Sequence, residues 1–180
     1  RAMREAIKGA IQREYDQLSR LRLKRGLLDR LAEQASFPTP EAMVEAEFGA
    51  IWQRIEQDMK AGQLDEADRG KDEETLKGEY RGIAERRVRL GLLLSEIGRA
   101  NNLTVSQDEL KRAIITEAQR YPGQERKVLE YYQQNPQAIE RFRAPLFEEK
   151  VIDYVLALAK VGEKAVGPEE LMRDPEAAEA

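Results

Sequence analysis

One long amphipathic segment, residues 83–110, restricts this chain to a helical fold more than any other part of the sequence. Small residues recur in it every seven positions, at Ala84, Gly91 and Gly98, so they lie on nearly one face of a helix. Each glycine inside a helix costs about 1 kcal/mol relative to alanine. We therefore predict that another backbone segment approaches this face closely enough to require small residues.

The end of this helix and the start of the next are both marked by capping residues. Asn101 and Asn102 predict the end, because asparagine readily adopts the left-handed conformation of a C-terminal cap. Ser106 and Glu109 have the spacing of a capping box, which predicts that a second helix begins there. The segment is therefore expected to form a helix, a tight turn and a second helix.

Apolar residues recur at helical spacing through most of the remaining chain. We predict helices over residues 1–34, from Pro40 onward with Thr39 as the N-cap, over 73–99, over 107–120, around 128–132, and over 136–158 after an Asn135 cap.

Three other segments carry different signals. Residues 62–72 predict a solvated hairpin tip, and 161–166 are compatible with a short strand before a last helical turn at 168–172. Pro145 is expected to kink the sixth helix, because proline removes one backbone donor. A second glycine pair, Gly78 and Gly82, predicts close packing against another helix.

Composition limits the chemistry that the chain can perform. Histidine and cysteine are both absent, which excludes disulfides, thiolate or imidazole metal sites and Ser-His or Cys-His nucleophile pairs. Charged residues make up 36% of the chain and aromatic residues 6%, as expected of exposed helices with much surface per residue. The net charge of -4 argues mildly against a nucleic-acid surface. No apolar run is long enough for a membrane span.

The charged clusters that remain are interpreted as surface charge. Adjacent carboxylates at 73–74 and 148–149 point about 100° apart on a helix and do not converge on a substrate. The acidic residues of 62–72 do not match a calcium-binding loop. The arginines of 86–89 have two interpretations, phosphate binding or ion pairs with Glu79, Glu85 or Glu96. We predict no catalytic residue, metal or cofactor.

Four segments, in this order, resemble the C-terminal chaperone domain of the bacterial trigger factor family. They are the helix of 79–102 with its paired arginines and leucine run, 121–136, 143–161 and 163–171. The resemblance covers essentially the whole chain, although none of the motifs is chemically reactive. The ribosome-binding and prolyl-isomerase domains of that family have no counterpart in this sequence. Because Arg1 to Arg4 already resemble a helix interior, we expect an excised fragment.

The resemblance implies an all-α fold, an elongated helical body with two protruding arms. The implied segments are a body helix and linker (1–43), a first arm (44–80) with its tip at 62–72, a body helix (81–103), a second arm (104–158) and a tail (159–180). It also implies an ATP-independent chaperone, located in the cytoplasm, that cradles nascent or unfolded polypeptides and is not an enzyme. Ribosome contact would require the missing N-terminal domain. We expect neither nucleic acid nor membrane as a partner and leave self-association open.

Apolar residues near turns have fewer neighbours to bury them, so they are our candidates for client contact. They are Met59, Leu64, Tyr121, Tyr131, Tyr132 and Phe142. For Phe142 a core position is an equal alternative, and Trp52 is expected in the core because Phe48, Ile51 and Ile55 share its face. The rival function is a structural helical or coiled-coil scaffold with one fixed partner, which would need one contiguous apolar patch.

Overall fold

The computed structural model describes residues 2–172, and within that range the chain forms seven α-helices, one 3₁₀ turn and no strand. The helices are α1 (Ala2–Gln34), α2 (Glu41–Ala61), α3 (Glu73–Ala100), α4 (Gln107–Ala118), α5 (Glu125–Gln134), α6 (Pro136–Leu158) and α7 (Pro168–Met172). The predicted all-α class is confirmed. Each helix in the described range is too short or too polar to cross a membrane.

The chain divides into two compact units, residues 1–36 with 159–180, and residues 37–158. In the first unit α1 contacts α7. Several large apolar residues of α1 are exposed, including Ile7 and Leu21. Residues 161–166, which are compatible with a short strand by sequence, have no regular structure. A strand needs a partner for its backbone groups, and the described part of the chain offers none.

In the second unit, α2 and α3 pack together as an antiparallel hairpin. Its core contains Val44 of α2 with Ala84 and Val88 of α3. Trp52 is also buried, it stacks on Phe48 at 6.0 Å, and its indole N–H donates a hydrogen bond to Glu56. The expected core position of Trp52 is therefore confirmed.

The start of α2 differs from the prediction. The helix begins at Glu41 and Pro40 is its cap, so Thr39 is not the N-cap and α2 has no side-chain cap hydrogen bond. The proline carbonyl accepts from the amides of Met43 and Val44 instead.

The tip of the hairpin, residues 62–72, is more ordered than a solvated loop. Gly62 ends α2 at a φ of 66°, a 3₁₀ turn spans Glu66–Asp68, and Asp72 caps α3. Asp68 is only 9% exposed and accepts hydrogen bonds from the Tyr80 hydroxyl and the Lys71 ammonium. The prediction of solvated charge is therefore wrong for Asp68, because these hydrogen bonds offset the cost of burying its carboxylate.

Helices α4, α5 and α6 form the other part of this unit. The inward face of α4 carries Leu110, Ile114 and Ala118, and α6 contributes Val151 and Ile152. Every residue of α5 is at least partly exposed, so this helix lies on the outside of the group. Helix α6 continues through Pro145 without interruption.

The predicted row of small residues on α3 behaves differently at each position. Ala84 is fully buried against α2. A Cβ added at Gly98 would lie 2.2 Å from the ring of Phe147 on α6, whereas Gly91 faces open space. The close approach is therefore made at Gly98 by an aromatic ring and not by a backbone. Gly78 and Gly82 also face open space, so the close helix packing predicted there is wrong.

Candidate binding surface

An apolar groove of about 480 Å³ lies between α4, α5 and α6. Its lining residues are Gln107, Leu110, Lys111, Ile114, Ile115, Leu129, Tyr132, Gln133 and Ile139. Six of these nine side chains are aliphatic or aromatic, two are amides and one is a lysine. The groove can therefore take an apolar group while amides and an ammonium border it.

The spacing of apolar residues on α4 explains why the groove is open. Leu110 and Ile114 are one helical turn apart and both face the core. Ile115 is rotated by about 100° from Ile114 and is 49% exposed. From α5, Leu129 and Tyr132 share one face by their three-residue spacing and are half-buried. The groove is consequently an extension of the core to the surface.

Three aromatic rings form a cluster at the edge of the groove. The Tyr131 and Tyr132 rings meet edge to face at 5.3 Å, and the Tyr132 and Phe142 rings do the same at 5.3 Å. Tyr131 is 54% exposed, whereas Tyr132 and Phe142 are half-buried. Burial raises the pKa of the Tyr132 hydroxyl. Tyr132 therefore supports the cluster from within, and Tyr131 presents its ring to solvent.

The start of α4, which sets one wall of the groove, is fixed by charge-assisted hydrogen bonds. The predicted capping box is present, with Ser106 Oγ accepting from the Glu109 amide and Glu109 accepting from the Ser106 amide at 2.7 Å. Lys150 of α6 donates to both carboxylate oxygens of Glu109, at 2.8 and 2.9 Å. Lys150 and the capping bond together lower the pKa of Glu109 to about 2.

Residues 1–157 match the family model described as the C-terminus of bacterial trigger factor protein. The chain belongs to the trigger factor family. It is 61% identical to the trigger factor of Gluconacetobacter diazotrophicus, 58% to that of Rhodospirillum centenum and 60% to that of Granulibacter bethesdensis. These alignments cover 97%, 97% and 98% of this chain but only 39%, 39% and 40% of the relatives. The chain therefore corresponds to about two fifths of their length.

The trigger factor fold places the predicted client-contact residues in two regions. Tyr132 lines the groove, Tyr131 and Phe142 lie beside it, and Tyr121 is 49% exposed after the end of α4. The other two, Met59 and Leu64, lie near the tip of the α2–α3 hairpin. Both are half-buried there and are not part of the groove lining. A role in client contact stays a prediction for all six.

Of the nine residues that line the groove, only Tyr132 was a predicted client-contact residue. The apolar lining residues that sequence reasoning missed are Leu110, Ile114, Ile115, Leu129 and Ile139. The doublet Ile114-Ile115 carried a weak signal, because adjacent residues point about 100° apart on a helix and one of the two can lie at the edge of the buried face. Ile139 and Leu129 carried none, since single apolar residues in short helices are equally compatible with a core position.

Two of the arginines of 86–89, Arg87 and Arg89, make contacts within the second unit of this trigger factor domain. Arg87 pairs with Glu47 of α2 at 3.0 Å, and Arg89 pairs with Glu85 and donates to the carbonyl of Phe37. Of the three predicted partners only Glu85 is used by these two arginines. The ion-pair interpretation is therefore preferred over phosphate binding.

The low pKa of Glu109 predicts a pH-dependent contribution to stability. The unfolded carboxyl has a pKa of about 4.3, so ionised Glu109 stabilises the fold fully above that value. The contribution is lost as pH falls from about 4.3 to about 2. We expect the urea midpoint of unfolding to be lower for Glu109→Gln than for wild type at pH 7, and the two midpoints to converge near pH 2. A difference in urea midpoint that stays constant across this pH range would contradict the low pKa of Glu109.

Proposed function

We propose that this chain is the polypeptide-binding part of an ATP-independent chaperone, and that the α4–α6 groove is a client-binding surface. The observation that carries the proposal is an open apolar groove on a member of the trigger factor family. A groove that continues the core to the surface offers a client side chain the environment of a protein interior. We place this activity in the cytoplasm, where nascent chains emerge from ribosomes.

The size of the groove sets the strength of the contact. Fully burying one large apolar side chain contributes about 1.5–3 kcal/mol. Ordering the client and its side chains offsets part of that gain. Single contacts are therefore weak and exchange quickly, so a client is released without nucleotide hydrolysis. Tyr131 and Tyr121 extend the exposed apolar surface beside the groove, and Met59 and Leu64 provide a second contact region at the hairpin tip.

The rival function, a scaffold with one fixed partner, receives less support from the distribution of exposed apolar residues. A stable interface typically buries about 800 Å² on each partner as one patch. In the second unit the exposed large apolar residues are divided between the α2–α3 hairpin, with Met43 and Ile83, and the α4–α6 group, with Ile115 and Tyr131. Separate small patches suit several weak contacts with varied clients better than one fixed partner.

We propose no catalytic role for this chain. In the described range there is no group of three or more acidic side chains placed to hold a metal ion. The groove lining offers an ammonium, amides and one phenol but no carboxylate. Contact with the ribosome, proposed for the whole protein, would involve segments other than these 180 residues.

Replacing Ile115 by serine tests the groove directly. Ile115 is 49% exposed, so the substitution should lower the free energy of unfolding by about 1 kcal/mol, less than at a fully buried position. It should nevertheless weaken suppression of aggregation, because it removes an apolar wall of the groove. The measurement is light scattering of several unrelated denatured proteins diluted into buffer with the chain present, together with the melting temperature.

The matched control is Ile11→Ser, which makes the same change at a residue 44% exposed on α1 and outside the groove. We expect that variant to suppress aggregation as wild type does. Equal activity of the Ile115 variant and wild type would refute the groove as a client site. An equal loss in both variants would point to general surface hydrophobicity instead.

A further inference from the structure

One stripe of side chains on α6 holds the turn and linker between α3 and α4. The stripe consists of Arg143, Phe147, Lys150 and Tyr154, whose steps of four, three and four residues keep them on one helix face. Their contacts are Arg143 with the Val105 carbonyl at 3.3 Å, Phe147 with Gly98, Lys150 with the Thr104 carbonyl at 2.7 Å, and Tyr154 with the Asn101 side-chain oxygen at 2.7 Å.

Lys150 differs from the other members of the stripe because it also reaches α4. Its ammonium group donates to the Thr104 carbonyl and to both oxygens of Glu109, so three acceptor atoms surround its three donors. Glu109 in turn accepts from the Ser106 amide. Lys150 therefore connects α6, the linker backbone and the first turn of α4 through charge-assisted bonds, which are stronger and more directional than apolar contacts.

The first turn of α4 matters because the groove wall begins immediately after it. Leu110 follows Glu109, and Leu110, Ile114 and Ile115 then line the groove on one side. Ile139 of α6 lies on the other side. The apolar contacts between α4 and α6 are non-directional, so they restrict the spacing of the two helices less strictly than directional bonds do. The hydrogen bonds of Lys150 supply that direction.

We propose that Lys150 is a positioning residue for the groove: by holding Glu109 and the Thr104 carbonyl together it sets the spacing of α4 from α6. The consequence for client affinity rests on the proposed function of the groove. The spacing itself does not, and it is measured without a client.

The chain contains no cysteine, so pairs of spin labels can be introduced cleanly. We would place them at the exposed positions Arg112→Cys on α4 and Gln137→Cys on α6 and record the distance distribution by pulsed electron resonance. Lys150→Gln is expected to broaden the distribution or add a second distance, while circular dichroism stays helical. Lys150→Arg should restore a single narrow distance, because arginine keeps the charge and the donors.

The matched control is Lys77→Gln, which removes a lysine that pairs with Glu73 at 2.6 Å on α3. It should leave the distance distribution unchanged. If Lys150→Gln fails to fold, Glu109→Gln tests the same link from α4. A wild-type distribution in the folded Lys150→Gln variant overturns the proposal, as does a distribution that Lys150→Arg fails to restore.

The affinity for a client is measured with a reduced and carboxymethylated protein that stays unfolded in buffer. If the competent spacing is populated about one tenth of the time in Lys150→Gln, its affinity falls roughly tenfold. A broadened distribution with unchanged affinity would support positioning by Lys150 and overturn the groove as the client site. The two proposals can therefore fail separately.

Discussion

Leu110→Ala is expected to lower the free energy of unfolding of the 37–158 unit by about 2–5 kcal/mol, the range for leucine-to-alanine changes in protein cores. Leu110 is 2% exposed and packs beneath the groove. For a chain of this size each kcal/mol moves the melting temperature by about 2–4 °C. Calorimetry and urea unfolding followed by circular dichroism would measure the loss.

The control for this substitution is Leu158→Ala at the end of α6. Leu158 is 72% exposed, so the same change should alter stability by no more than about 0.5 kcal/mol. Similar losses in both variants would mean that the burial of Leu110 is not what stabilises the α4–α6 group.

The second large effect is expected at Gly98. A Cβ at this position would lie 2.2 Å from the Phe147 ring, so either the ring or the helix that carries it must shift. Overpacking of this kind costs about 1–3 kcal/mol, although alanine improves helix propensity by about 1 kcal/mol. We expect Gly98→Ala to be less stable than wild type in urea unfolding.

Gly91→Ala, one heptad earlier on α3, should have the opposite effect. A Cβ there would meet open space, with no atom within 4 Å beyond its own helix backbone. The variant should gain about 1 kcal/mol from helix propensity alone. Stabilisation of both variants by the same amount would show that the Phe147 ring yields without cost, and the contact would then not explain the glycine.

The Leu110→Ala and Ile115→Ser variants separate stability from client binding on one helix, α4. Leu110 and Ile114 face inward and Ile115 faces outward, yet all three line the same groove. A client bound there would touch residues that also stabilise the fold. Only the outward residues can be changed without unfolding the unit, so Ile115 and Tyr131 are better probes of client contact than Tyr132 or Phe142.

The helix boundaries were largely predictable because they depend on neighbouring residues. Asn102 has a φ of 54°, and the amides of Asn102 and Leu103 donate to the carbonyls of Arg99 and Gly98, as expected of a left-handed cap. The Ser106–Glu109 capping box forms as predicted. The prediction of Thr39 as the N-cap of α2 was wrong because Pro40 occupies the cap position, one residue later.

The use of each face depended on contacts between residues far apart in sequence. Gly91 and Gly98 have the same local pattern, and only the position of Phe147 distinguishes them. In the sequence Asp68 is indistinguishable from its acidic neighbours, and only the fold places Tyr80 beside it. Burial and the Asp68 carboxylate together raise the pKa of the Tyr80 hydroxyl to about 12.

The sequence by itself determined the helical class, the capped ends of α3 and α4, and the family, because capping and apolar periodicity act within a few residues. Only the tertiary structure decided which apolar residues form the core and which line the groove. Exposure of Ile115 and burial of Ile114 follow from where α5 and α6 pack, and that packing depends on many weak contacts between distant residues that no local pattern encodes.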